Sequence, residues 1–380
     1  MSTQKNDFFG LQWKQLSKTD TAVLKAIFIL MIVLHNFFHV FPSWNIENEF
    51  GFNAAKYTFF TNHFFSGVFN DVGLLFSYLG HYGVQIFVFL SAYGLYLSYE
   101  GRQIHYWKFI KGRISKLYPT FFLAVLLVIL ITIAASKSIN QPDLYYDSLL
   151  RLSLLSNLIP GKSFALVGPW WFYSMIVQFY LLFPLLRNLF NKYGITPLVL
   201  LSLASWLLQI FFNDLLISKG WLINATVIGH IPVFALGFVL AKREKFRLPF
   251  WLFIAACFLF YLGNTSEVAW VTSRFWITII FLYAYLFLKK FRYFHHPFIA
   301  KPILFIGAIS MYIFAVNGFL RHPFVQQVQK FHDSSLKFLI AVLFVCFVIG
   351  VALLLRTAEQ VFFKVKTRLG VVPAIRNQQP

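Results

Sequence analysis

Charge is scarce in this chain. Of its 380 residues only 12% are Asp, Glu, Lys or Arg, and just 13 of these are acidic, whereas soluble domains carry about 25% charged residues. With 59% of its residues apolar, such a chain has too little polar surface to dissolve, which excludes an ordinary soluble enzyme, a soluble nucleic-acid binder and a disordered segment. Cysteine is nearly absent. Cys257 and Cys346 each lie inside an apolar stretch away from His and acidic clusters, so neither a disulfide framework nor a metal site is expected from them. No Pro/Gly/Ser-rich linker and no fixed-period repeat divides the sequence. A cleavable signal peptide is also not expected, because the first apolar run follows a polar segment of roughly twenty residues and ends at Pro42 and Ser43 without a small-x-small site. The acidic residues are missing from the apolar runs: all 13 fall in loops, tails or run edges. That distribution argues against carboxylate-driven proton or cation coupling, and with it against a secondary transporter.

What the chain has in abundance is long apolar, aromatic stretches, with 49 Phe, 18 Tyr and 10 Trp. A bilayer core of about 30 Å takes roughly 20 apolar residues of helix. Ten runs approach that length, near residues 21–41, 78–98, 117–136, 169–187, 196–213, 221–241, 249–263, 267–288, 300–320 and 335–355. The expectation is an all-α, polytopic transmembrane helical bundle of about 10 spans, with residues 50–77 and 144–160 as short interfacial or re-entrant pieces. An even count puts both termini on one side. With the N-terminus inside, the inner segments hold 23 Lys and Arg and the outer ones 8, so both termini are expected to be cytoplasmic. The net charge of +20 is then mostly topology and adhesion to anionic headgroups, with no nucleic-acid partner.

Polar groups inside the runs are few. The first run, TAVLKAIFILMIVLHNFFHVF, carries Lys25, His35, Asn36 and His39. Lys25 is near the inner end and can snorkel to the headgroups. His35, ten residues or about 15 Å of helix further in, cannot. A neutral imidazole at that depth can be a packing residue, a ligand or a general base. His39 shares its face at i+4, but a His-x3-His pair without a third convergent ligand does not make a zinc site. In the second run Gln85, Ser91 and Gly94 interrupt the apolar face, as helix-packing residues do. The loop after it, FIKGRISKLYP, sets Lys111, Arg113 and Lys116 before Pro119, a cluster that suits phosphates as well as positive-inside anchoring.

Five stretches in order resemble the membrane acyltransferase family 3, whose members include O-acetyltransferases of surface glycans. LKAIFILMIVLHN is similar to the family's first helix, a basic residue followed about ten positions later by His. GVQIFVFLSAYGLY resembles GVDLFFVLSGFLI. FIKGRISKLYPTFF is similar to the basic loop running into Pro, with Arg113 and Lys116 at its two usual Arg positions. GPWWFYSMIVQFYLLFPLL resembles the WFL…fY…P helix, and FIGAISMYIFAVNGFLRHPF the late lGkiSyxiYLxH segment. The resemblance spans about residues 20–325. Three positions depart from the pattern: Lys25 replaces Arg, Gln85 replaces Asp, and Asn317 stands where His is frequent.

The resemblance implies a cell-membrane enzyme, bacterial and multi-pass. Its parts would be a cytoplasmic segment at 1–20, an integral membrane acyltransferase domain at 21–356 and a basic cytoplasmic tail at 357–380. The implied reaction moves an acyl group, most often acetyl from cytosolic acetyl-CoA, to a sugar hydroxyl of a cell-surface polysaccharide or glycolipid. His35 is the expected catalytic residue, with Lys25, Arg113 and Lys116 for the CoA phosphates. Trp170, Trp171 and Tyr173 are expected to line a mouth that faces the acceptor, with Trp171 and Tyr173 meeting the sugar, although Trp and Tyr at a span end also serve as interfacial belt residues. No metal is expected. Membrane lipids and the polysaccharide-synthesis machinery are the implied partners. Two other classes share the many spans: a glycan or lipid exporter, and a non-catalytic membrane partner of a polysaccharide synthase.

Overall fold

The computed structural model describes residues 11–291, 293–331 and 333–368, so the expected terminal segments 1–20 and 357–380 lie partly outside the described residues. The elements in chain order are β1 (Leu11–Lys14), α1 (Lys18–Phe38), α2 (Ala54–His63), α3 (Val68–Leu79), α4 (Gly83–Tyr99), α5 (Tyr106–Ser136), α6 (Pro142–Leu152), α7 (Trp171–Tyr193), α8 (Thr196–Ser218), α9 (Ile231–Lys242), β2 (Lys245–Leu248), α10 (Phe250–Thr265), α11 (Glu267–Trp270), α12 (Ser273–Lys290), α13 (Pro297–Ala308), α14 (Ser310–Val328) and α15 (Ser334–Arg368). This is an all-α membrane protein; among the described residues a two-stranded antiparallel ribbon accompanies the helices, in which Leu11 pairs with Leu248 and Lys14 with Lys245.

Among the described residues six helical stretches are long and apolar enough to cross a membrane: Lys18–Phe38, Val68–Tyr99, Tyr106–Ser136, Gly168–Tyr193, Thr196–Ser218 and Ser334–Phe362. A seventh span results if α13 and α14, bent by 74° at their junction, count as one. The shorter apolar helices Val227–Lys242 and Phe250–Thr265 fall below that length, and α12 carries Arg274, Lys289 and Lys290. The expected interfacial pieces form helices, α2 and α3 before α4 and α6 before α7, but α3 runs with α4 in the stretch Val68–Tyr99 and so counts with that span.

Local chemistry explains the ends and the close contacts. Ser17 caps α1 in a capping box: its hydroxyl accepts from the Asp20 amide while the Asp20 carboxylate accepts from the Ser17 amide. Asp20 also takes an ion pair from Lys289 at 2.7 Å, which ties α1 to the end of α12. Helices α4 and α9 approach at Gly237, where a Cβ would stand 2.6 Å from the Ala92 Cβ and 2.7 Å from the Phe89 carbonyl, the small-residue contact that lets helices meet in lipid. The expectation that carboxylates stay at the edges is only partly met. Helix α15 runs further than the apolar run, and its Glu359 is buried with an oxygen 2.5 Å from the Thr120 hydroxyl of α5.

The helices separate into an inner and an outer set. The apolar stretches of α1, α3–α4 and α7 are 61%, 72% and 61% buried, whereas those of α5, α8 and α15 are 33%, 11% and 28% buried. The first set therefore forms the wall of whatever lies inside, and the second presents its apolar side chains outward, as lipid-facing helices do. His35 is on α1, in the inner set.

Candidate active site

His35 lies in the last turn of α1 and is 3% exposed. The turn between α3 and α4 closes over it: a Cβ on Gly80 would be 2.5 Å from the His35 Cβ, so only glycine lets the two backbones come this near. That approach brings the carbonyls of Ser77 and Phe76 to 3.1 and 3.3 Å from Nδ1. Carbonyl oxygens only accept, so Nδ1 carries the proton and Nε2 keeps its lone pair. His39 stacks on the ring with centroids 4.5 Å apart, and its own Nδ1 donates to the His35 carbonyl at 2.7 Å. Both Nδ1 atoms are thus held by carbonyls, which leaves each ring its Nε2. Among the described residues no group of three or more His, Cys, Asp or Glu is arranged to hold a metal ion.

Nε2 faces a cavity of about 330 Å³. Its walls come from distant parts of the chain. The loop after α1 turns back so that Glu47, Glu49 and Phe50 line it, and Glu49 Oε2 stands 3.9 Å from His35 Nε2. That loop is held by its backbone. The Trp270 indole donates to the Asn48 carbonyl at 3.0 Å, Arg274 to the Glu49 carbonyl at 2.5 Å and Lys56 to the Glu47 carbonyl at 2.6 Å. Asn48 and Asn53 close it with two further bonds of 3.1 Å. Burial, reinforced by neighbouring Glu47 and opposed by Arg274, raises the Glu49 carboxyl to about 8. Burial likewise raises Glu47, with Lys56 and Arg321 pulling the other way.

Two more groups complete this cavity. Arg321 lines it and donates to the Asn36 carbonyl at 2.8 Å, while the Asn36 amide donates to Asn317 Oδ1 at 2.6 Å. Asn317, at the frequent His position, thus joins α14 to the helix that carries His35. Trp171 lines the opposite wall. Its ring meets Phe50 edge-on at 5.5 Å and stacks on His230 at 5.5 Å with planes 18° apart. His230 in turn stands 3.0 Å from Gln85 Oε1 and 3.0 Å from the Asn224 carbonyl, so the Gln85 departure sits behind Trp171 and not beside His35.

A second cavity of about 230 Å³ contains Lys25, Tyr173, Tyr180 and Leu117, and it shares Ile32, Val84 and Phe314 with the first. The two cavities therefore meet at three side chains, with Lys25 in one and His35 in the other. Of the residues singled out in the sequence, His35 and Trp171 share the first cavity, and Lys25 and Tyr173 share the second; Trp171 and Tyr173 do not line a single mouth, and Trp170, fully buried with its indole donating to the Ala315 carbonyl at 2.9 Å, lines neither. Arg113 and Lys116 line neither. The Arg113 guanidinium packs 5.6 Å from the Tyr99 ring and 5.5 Å from Phe109, and Lys116 is exposed beside Leu117. Glu49, His81 and Arg321 escaped the sequence reading. His81 stands 5.4 Å from His35 between ring centroids, and its place just ahead of GVQ was its one signal.

A family model for an acyltransferase domain matches residues 22–357. The chain belongs to acyltransferase family 3. No curated protein and no solved structure matches it. The matched residues of this membrane acyltransferase run from the start of α1 into α15, so both cavities and their shared wall lie within the acyltransferase domain.

Proposed function

We propose that the protein is a bacterial cell-membrane O-acyltransferase that moves an acyl group, acetyl as the first candidate, from cytosolic acyl-CoA to a sugar hydroxyl of a surface polysaccharide or glycolipid. The observation that carries this reading is the pair of cavities meeting at Ile32, Val84 and Phe314, with a cation at one end and an imidazole lone pair at the other. Its topology is ten spans, formed by α1, α4, α5, α7, α8, α9, α10, α12, α13 with α14, and α15, and both termini are cytoplasmic. The β1–β2 ribbon supports this, since it holds residues 11–14 beside the basic loop at 245–248, two segments that the charge bias puts on the same side.

In this reading Arg113 and Lys116 meet the phosphates of CoA at the inner surface, Lys25 holds the polar end of the thiol-bearing arm, and the thioester reaches past Phe314 to His35. The acceptor hydroxyl gives its proton to His35 Nε2 as its oxygen attacks the thioester carbonyl carbon. The carbon–sulfur bond then breaks, the thiolate takes the proton from Nε2, and an ester and free CoA result. The Ser77 and Phe76 carbonyls keep Nδ1–H in place throughout and stabilise the passing imidazolium. Trp171 offers a ring face to the sugar, and Tyr173, in the second cavity, is assigned to the donor side. The polysaccharide-synthesis machinery supplies the acceptor.

The test is transfer of radiolabel from acetyl-CoA to the glycan and lipid fractions of membranes that contain wild-type protein or His35→Ala at matched abundance. Label is expected with the wild type and a loss on the order of 100-fold or more in the variant. An exporter would instead move glycan or lipid without acyl-CoA and would be indifferent to His35→Ala, and a non-catalytic partner would change the amount of polymer and not its acyl content.

A further inference from the structure

Building on that acyl-transfer reading, we infer that Glu49 is a second acceptor-binding residue, which together with His35 cradles the hydroxyl to be acylated. The distance between Glu49 Oε2 and His35 Nε2 is 3.9 Å, too long for a direct hydrogen bond, which closes to roughly 2.7–3.2 Å. It suits a third atom. An oxygen about 2.8 Å from each would form a nearly right-angled bridge, donating its proton to Nε2 and accepting one from the carboxyl. Nε2 is the imidazole nitrogen left free for this, because Nδ1 is held by the Ser77 and Phe76 carbonyls.

The loop is built to hold the carboxyl there without using it. Arg274, Trp270, Lys56 and the Asn48–Asn53 pair all grip backbone atoms or neighbouring side chains of the loop, and no hydrogen bond reaches the Glu49 carboxyl among the described residues. A carboxyl that is 19% exposed, lines the cavity and is left open beside an imidazole lone pair is a ligand-binding arrangement.

Several charged or titratable groups face Glu49 or its cavity: Glu47 from its own loop, His35 and His39 from α1, Lys56 from α2, His81 and Tyr82 from the turn before α4, Arg274 from α12 and Arg321 from α14. Glu47 raises Glu49 and Arg274 lowers it, but burial is the largest influence and leaves the carboxyl protonated below about 8. The form that donates is therefore present at neutral pH and is lost as pH rises through about 8.

The experiment measures acetyl transfer from labelled acetyl-CoA to the membrane glycan and lipid fractions from pH 6 to 10, with full-length protein in proteoliposomes. Wild type is expected to lose activity on the alkaline side near pH 8. Glu49→Ala is expected to lower kcat/KM for the acceptor about tenfold or more, the scale of one hydrogen bond in a dry site, with KM for acetyl-CoA unmoved. Glu49→Gln keeps a donor that does not titrate, so its rate is lowered severalfold but its alkaline fall disappears. Glu47→Gln removes a like charge and is expected to move the fall to lower pH, which a purely structural role of the loop would not do. Retention of wild-type acceptor kinetics in Glu49→Ala, or an unchanged alkaline fall in Glu49→Gln, overturns the role of Glu49 and leaves acyl transfer standing. Absence of transfer by the wild type overturns both.

Discussion

A methyl group added at Gly80 would press within 2.5 Å of the His35 Cβ and 3.0 Å of the Met31 carbonyl, and both neighbours belong to a helix that cannot yield without moving the imidazole. Gly80→Ala is accordingly expected to cut acyl transfer about tenfold or more while acetyl-CoA binding stays within about twofold, because a 1 Å misplacement at a reacting centre is enough for such losses. Transfer rates and acetyl-CoA titrations on the same preparation check it. The sequence singled out His35 as a histidine about 15 Å of helix beyond the snorkelling Lys25, where it can be a packing residue, a ligand or a general base, and the structure sets it on the wall of a cavity. Glu49 was not singled out. Its approach to His35 depends on Trp270 and Arg274, more than 200 residues away, and nothing in NIENEF announces that the loop turns back on α1.

At the level of elements, the segment between α6 and α7 is organised by one buried guanidinium. Arg151 donates to the Ala165 carbonyl at 2.6 Å, the Ser156 hydroxyl at 2.7 Å and the Ser163 carbonyl at 2.8 Å, and its burial lowers it to about 10. It remains charged at neutral pH, and the loop it gathers leads directly into Trp170 and Trp171. Arg151→Ala removes the charged donor that ties these three acceptors together and is expected to destabilise the protein by about 3 kcal/mol, read as a fall in thermal midpoint in detergent. Gly237→Ala forces α9 away from α4 and is expected to cost about 1–3 kcal/mol, with the same readout. Helix existence was well marked by the apolar runs, and so were the short helices within residues 50–77 and 144–160. Less legible was how the elements divide the site: Trp171 and Tyr173 are two residues apart on α7, and a helix turns about 200° over two residues, which sends them to different cavities.

Across the whole molecule, the bias of Lys and Arg between alternate loops predicts its sidedness. With the N-terminus inside, as the charge bias predicts, the Lys25 cavity would lie on the side rich in Lys and Arg and the His35 cavity, lined by Glu47 and Glu49, on the opposite side. Introduced cysteines check this frame. A membrane-impermeant maleimide added to intact cells is expected to label Ser66→Cys and Lys162→Cys and to reach Lys111→Cys only after the membrane is opened; the reverse pattern would invert the topology. Fold class was readable from charge poverty and run length alone. The meeting of the two cavities at Ile32, Val84 and Phe314 was not, because each of these is an ordinary apolar residue until three helices bring them together.

The most direct test of the central claim uses sealed vesicles of both orientations and labelled acetyl-CoA, which does not cross the bilayer. Transfer to the vesicles' own glycan and lipid fractions is expected when acetyl-CoA meets the cytoplasmic face, with label accumulating on acceptors at the opposite face, and it is expected to vanish in His35→Ala. Equal transfer from either face, or transfer that survives His35→Ala, would contradict a path from Lys25 to His35.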